Sequence, residues 1–194
     1  MTPAVRLIAC CIALMCSCAH VPMKTASSPQ TLDAQSLMGT WFIVATNFPR
    51  WLDGTRTNPR FVYSNLNREN GTVTCDDLVL STYDGADERI EGVDTQHPQV
   101  SSHFTWRGRG WLAPFKSEWD VAALAPDGSW AVIAFSATLF TPAGVDIISR
   151  QPTLDSEAMN QAMKLIADDS TLSTLGANLQ RLPLQGTRMP AAAR

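Results

Sequence analysis

From Thr40 to Ser149 the chain passes through eight short strand-like runs with no helical period among them, and only after Thr153 do the apolar residues take up helical spacing. Consecutive strands followed by one helix leave two all-β architectures, a closed up-and-down barrel or two packed sheets. The runs span 40–48, 60–67, 72–81, 88–95, 100–107, 116–124, 129–136 and 145–149, the fourth being the weakest. Asn70-Gly71 and Asp127-Gly128 read as the best hairpin turns, because Asn, Asp and Gly tolerate the positive φ that tight hairpins need. They join runs two to three and six to seven, as a meander requires. Residues 108–115, with Gly110 and Pro114, form a longer loop before the sixth run. Short connections between successive strands favour the barrel. The expected fold is therefore an all-β, eight-stranded antiparallel up-and-down barrel with one C-terminal helix packed outside it.

That helix is marked by Ala158, Met159, Ala162, Met163 and Ile166, with Thr153 or Asp155 as its N-cap after Pro152. A chain of 194 residues holds one such barrel and an export segment, with no room for a second sizeable domain. The apolar fraction of 45% fits a globular protein, and a net charge of -3 offers no electrostatic footprint for nucleic acid.

At the N-terminus, Arg6 precedes an uncharged run from Leu7 to Cys18 that is too short to span a bilayer, the pattern of a targeting segment. Cys10, Cys11, Cys16 and Cys18 fall within it, and Cys75 alone belongs to the globular body, where it reads as a small core residue. Residues 19–36 are rich in Ser, Thr, Pro and Gln and read as a tether, with the folded body running from 37 to 186 and a disordered tail over 187–194.

Two patches carry a family resemblance: Gly39-Thr40-Trp41 opening the first strand and Ser149-Arg150-Gln151-Pro152-Thr153 closing the last. The chain resembles the lipocalins, closest to the bacterial outer-membrane lipoprotein lipocalins, over about Leu37 to Gln185. The resemblance implies that Gly39, Trp41 and Arg150 are structural, the Arg packing across the Trp at the closed end. It also places a helix after the last strand. Leu14-Met15-Cys16-Ser17-Cys18 resembles a lipoprotein signal, with Cys18 as the acylated residue and residues 1–18 as the export segment; an ordinary secretory peptide is the alternative. Ala19 after that Cys is what the resemblance associates with export to the outer membrane. Fatty acids or lysophospholipids are the ligands implied, with binding, storage or transport in the bacterial envelope as the role.

If Trp41 points inward as it does in the family, alternation puts Ile43 and Ala45 inward too. By the same parity and resemblance Phe61, Tyr63, Trp119, Val121, Ile133 and Phe135 face the interior, with small gaps at Ala45 and Ala123, while Glu118 and Asp120 face solvent. The lining suits an acyl chain or a flat hydrophobic molecule; at about 0.8 kcal/mol per methylene a ten-carbon chain needs no polar contact. Side chains that simply fill the barrel are the competing reading.

Asp146 shares the inward parity of Ile148 on the last strand. A carboxylate in an apolar cavity requires a partner, either a cationic or hydroxylated ligand group or one of Arg107, Arg109 and Tyr63; the other reading, given more weight, is a hydrated position at the rim beside Gly144. No G-x-S-x-G, P-loop or H-E-x-x-H is present, and neither His97 nor His103 has a second ligand at metal spacing, so no metal or cofactor is expected. An enzyme on this fold would draw on Asp146, His103 and Tyr63 as acid and base. Trp51, Trp106 and Trp111 lie in or beside loops, and the alternation Trp106-Arg107-Gly108-Arg109-Gly110-Trp111 fits either a lipid headgroup contact or Trp side chains packed over the barrel mouth.

Overall fold

The computed structural model describes residues 31–183; the export segment 1–18 with Cys18, most of the tether and the tail 187–194 lie outside the described residues. Eight antiparallel strands follow in order: β1 (Gly39–Thr46), β2 (Arg56–Glu69), β3 (Thr72–Tyr83), β4 (Ala86–Gln96), β5 (His103–Gly108), β6 (Lys116–Leu124), β7 (Trp130–Phe135) and β8 (Gly144–Ser149). Each pairs with the next, β8 returns to β1, and β1 also pairs with β2, so the sheet closes on itself without a free edge. The fourth strand, weakest in the sequence, is 11 residues long. A hairpin not expected from the sequence supports it: Asp84 and Gly85, at φ 49° and 79°, make the same kind of turn as Asn70 and Gly71 at 51° and 76°. At the third turn, Gly128 has positive φ and Asp127 does not; the Gly128 N–H closes back on the Ala125 carbonyl at 2.8 Å in a five-residue connection.

Side chains divide into two apolar clusters. Inside the barrel lie Trp41, Ile43, Phe61, Tyr63, Phe104, Trp119, Val121, Ala131, Ile133 and Ile148. Outside, Val44, Ala45, Val132, Val145 and Ile147 are covered by Met159, Ala162 and Ile166 of α2 (Ser156–Asp168). Asp155 caps that helix, accepting from the Ala158 N–H at 2.9 Å. The helix is not alone: α3 (Ser170–Leu175) and the two-residue strand β9 (Gln180–Arg181) follow, and β9 pairs with Ala45 and Thr46, where β2 no longer runs beside β1.

Ala45 is thus a correction: it faces outward beneath the helices. A bulge between Ile43 and Ala45 inserts one residue, which turns Ala45 out and Thr46 in. A second bulge, between Val121 and Ala123, does the same on β6, so Ala123 also joins the outer cluster and leaves no gap inside.

The closed end is built around Trp41. The Arg150 guanidinium lies 3.7 Å from its ring centre and donates to the carbonyls of Ser36 (2.7 Å) and Thr40 (3.3 Å), while the indole N–H donates to Leu37 (2.6 Å). Gly39 sits at φ +100°, and a Cβ there would stand 3.2 Å from the Arg150 guanidinium. The folded body reaches back beyond the expected start at Leu37. A 3-10 turn over Ala34–Leu37 buries Ala34 and Leu37, and the Leu32 N–H donates to Ser101 Oγ at 2.9 Å.

Candidate functional site

Up-and-down connectivity places the β1–β2, β3–β4, β5–β6 and β7–β8 connections at the end opposite Trp41. There a cavity of about 190 Å³ opens inside the barrel. Its walls are mainly aromatic: Phe48, Trp51, Phe61, Tyr63, Trp106, Trp119 and Phe135, with Val79 and Ile90. Phe61, Tyr63 and Trp119 form a stacked row with ring centres 6.1 and 5.7 Å apart, continued by Phe104 at 4.5 Å from Trp119. Trp51 comes from a short helix, α1 (Pro49–Leu52), that lies in the β1–β2 connection. Of the residues expected to contact a ligand, Phe61, Tyr63, Trp119, Phe135 and Asp146 line this cavity, whereas Ile43, Val121, Ile133 and Ile148 point inward but pack into the core outside its lining.

Asp146 is not at a hydrated rim. It is 1% exposed, and Phe48 and Asn47 close over the adjacent Gly144, where a Cβ would come within 2.6–2.9 Å of their side chains. Burial raises its carboxyl to about 7, with only the Thr46 hydroxyl acting in the opposite direction. Its Oδ1 has no partner. Arg107 and Arg109, considered as its partners, lie elsewhere: the first donates to the Ala113 carbonyl and the second pairs with Asp76.

Two further carboxyls inside the barrel escape the sequence reading. Asp77, 6% exposed, lines the cavity with its Oδ1 unpartnered. Asp94, fully buried, accepts from the Trp119 indole N–H at 2.8 Å through one oxygen and has no partner on the other. Burial pushes both upward, and for Asp77 the charge of Asp94 adds to it. Desolvation, followed by the fields of Asp77 and Asp94, also holds the Tyr63 phenol well above its ordinary range. Among the described residues no Lys, Arg or His forms an ion pair with Asp77, Asp94 or Asp146.

Among the described residues the cationic side chain that lines the cavity is Arg50, from the β1–β2 connection. Glu88 holds Arg56 at 2.7 Å and Arg50 at 2.8 Å, and Arg50 lines the cavity with a buried, unpartnered Nε. Trp106, expected to accompany Trp111 in a loop, turns into the barrel and packs over Gly92; a Cβ on that glycine would fall 2.1 Å from the indole nitrogen. Its N–H is buried without an acceptor. Trp111 is 81% exposed, so the aromatic and basic alternation does not present one face.

Of the acid and base groups considered for catalysis, Asp146 and Tyr63 share the cavity and His103 does not. His103 sits on the outer face, within 2.9 Å of Asp120 and 3.2 Å of Glu118, while Asp146 and Tyr63 are inside. Among the described residues no group of three or more His, Cys, Asp or Glu side chains is placed to hold a metal ion.

Residues 32–175 match the model of a lipocalin-like domain. Among solved structures, the siderocalin Ex-FABP, described as functioning through dual ligand specificities, superposes with a TM-score of 0.56 at 18% identity, covering 78% of this chain and 96% of its own. A deswapped triple mutant of bovine odorant-binding protein gives a TM-score of 0.45 at 14% identity, with 75% and 93% covered. No curated protein matches the sequence.

Proposed function

The chain belongs to the lipocalin-like domain family, and we propose that it reversibly binds and carries a small, largely apolar ligand in the open end of its barrel, held to a bacterial outer membrane through an acylated Cys18. The observation that carries this reading is the cavity itself: about 190 Å³ of space with aromatic walls, where a filled barrel would have none. Binding is apolar burial with polar groups selecting orientation, and it makes or breaks no bond. The Leu32 segment packs at the closed end, against Ser101 and Gln96.

A fatty acid or lysophospholipid, the class implied by resemblance, fits with its anionic head at Arg50 and Arg56 and its chain pointing down. The cavity is small beside the roughly 300–1,000 Å³ of ordinary ligand pockets, which favours a short chain or a compact molecule. Native mass spectrometry of the full chain purified from membranes, followed by organic extraction, tests the reading. A stoichiometric apolar molecule, returned chemically unchanged, is the expected result. A chain that emerges empty and takes up no apolar probe would remove the carrier reading. Cell fractionation after Cys18→Ala tests the anchor, with loss of membrane retention expected.

A further inference from the structure

The cavity's unpartnered side-chain atoms among the described residues are two acceptors, on Asp77 and Asp146, and two donors, on Arg50 and Trp106. Arg50 is engaged by Glu88. Within the barrel, Asp77 and Asp146 each present a buried oxygen with no donor, on two separate strands, to one aromatic-walled space. A buried acceptor left empty is costly, and an ammonium supplies three donors together with the opposite charge. The faces of Tyr63, Trp119 and Phe61 add the π surface that stabilises a desolvated cation. An anion in this space would meet the two buried carboxyls, with the Arg50 Nε and the Trp106 indole N–H as the unpartnered donors of the lining.

We infer that the ligand of this cavity is a compact organic cation, a primary or secondary amine on an apolar or aromatic body, with its positive end facing Asp77 and Asp146. The inference rests on the carrier reading and puts an amine in place of the fatty acid or lysophospholipid that the resemblance implies. The ring or short chain of the ligand lies along the aromatic row, and the ammonium is held by the charge of these two carboxylates, donating to one of their free oxygens. Small molecules whose polar end is a carboxylate or sulfate are rejected from that depth.

Three water-soluble probes of near-equal shape test it: 2-phenylethylamine, 2-phenylethanol and 3-phenylpropionate, each titrated calorimetrically into the full chain at pH 8. The amine is expected to bind at least about tenfold more tightly than the alcohol, with the carboxylate weakest. Asp77→Asn and Asp146→Asn should each weaken the amine by about tenfold or more and leave the alcohol within about threefold. Should either variant fail to fold, the unaltered chain decides. At pH 6.5, titration in two buffers of different ionisation enthalpy should show proton release on binding the amine and none on binding the alcohol. The groups facing the two carboxyls are Tyr63 of β2, Cys75 of β3, Asp94 of β4 and Arg50 of α1. Equal affinity for amine and alcohol, or tighter binding of the carboxylate, would overturn the inference while leaving the carrier reading intact. Failure of all three probes, in a chain that also emerges empty from membranes, would overturn both.

Discussion

Arg150 and Trp41 show how two residues 109 positions apart fix one end of the barrel. The guanidinium covers the indole face at 3.7 Å and donates to two carbonyls, one from the 3-10 turn and one from β1. Arg150→Met keeps the apolar stem but removes the cation and both donors, and should lower stability by about 2 kcal/mol. The check is a urea denaturation midpoint that falls with an unchanged slope; a midpoint that does not move would mean the stem alone closes the barrel. Asp146 acts in the opposite sense. Its carboxyl is raised to about 7 in the folded state, against about 3.9 in an unfolded chain. Between these values the folded protein holds a proton that the unfolded chain has released, so stability falls as pH rises through the window. The full effect of one such group is about 4 kcal/mol above pH 7. Asp146→Asn should therefore stabilise the empty barrel at pH 8, leave it nearly unchanged at pH 4, and reduce the slope between them. Asp77 and Asp94 shift the same way and preserve part of that slope in the variant.

At the level of strands, what could be read ahead of the structure and what could not are separated by bulges. The eight strands, the Asn70-Gly71 hairpin and the cap at Asp155 follow from local chemistry, since alternation, positive φ and a short carboxylate each leave a residue-level mark. A bulge leaves almost none, yet it inverts every side chain beyond it, which is why parity carried past Val44 and Ala122 put Ala45 and Ala123 inside. Asp77 was hidden in the same way. Pairing outward from Asn70-Gly71 without a slip sets Leu78 opposite Tyr63, but a bulge between Ser64 and Asn67 moves Asp77 there. The one local trace of that bulge is Asn65, at φ 52° inside a strand, a backbone conformation that Asn tolerates and β-branched residues do not. Gly92 is the corresponding trace on β4: a mid-strand glycine that admits the Trp106 indole. Gly92→Val should keep the barrel folded, expel Trp106 from the wall and weaken binding of a cavity probe by about tenfold. A red-shifted tryptophan emission would accompany the loss; unchanged emission and affinity would show that the wall does not depend on this contact.

Across the whole molecule, the closed end and the helix-covered flank supply stability, while the open end accepts a stability cost in return for a polar interior. The empty barrel carries three buried carboxyls without a cation among the described residues, and protonation in mildly acidic solution relieves the cost of burying them. A ligand that brings the missing charge changes this balance for the entire fold. At about 100 times its Kd any ligand adds about 2.7 kcal/mol to stability, which in a domain of this size raises Tm by about 5–10 °C. For 2-phenylethanol that increment should be the same at pH 5 and pH 8 at one fixed concentration, because it does not discriminate between protonation states of the wall. For 2-phenylethylamine it should be large at pH 8 and small at pH 5, where the carboxyls hold protons and the ammonium finds no counter-charge. The Tm of the empty chain should fall between pH 5 and pH 8, and saturation with the amine should flatten that fall. Thermal scans at the two pH values, with and without each probe, check both halves of the expectation. An amine increment that does not change with pH would show that the buried carboxyls take no part in holding the ligand.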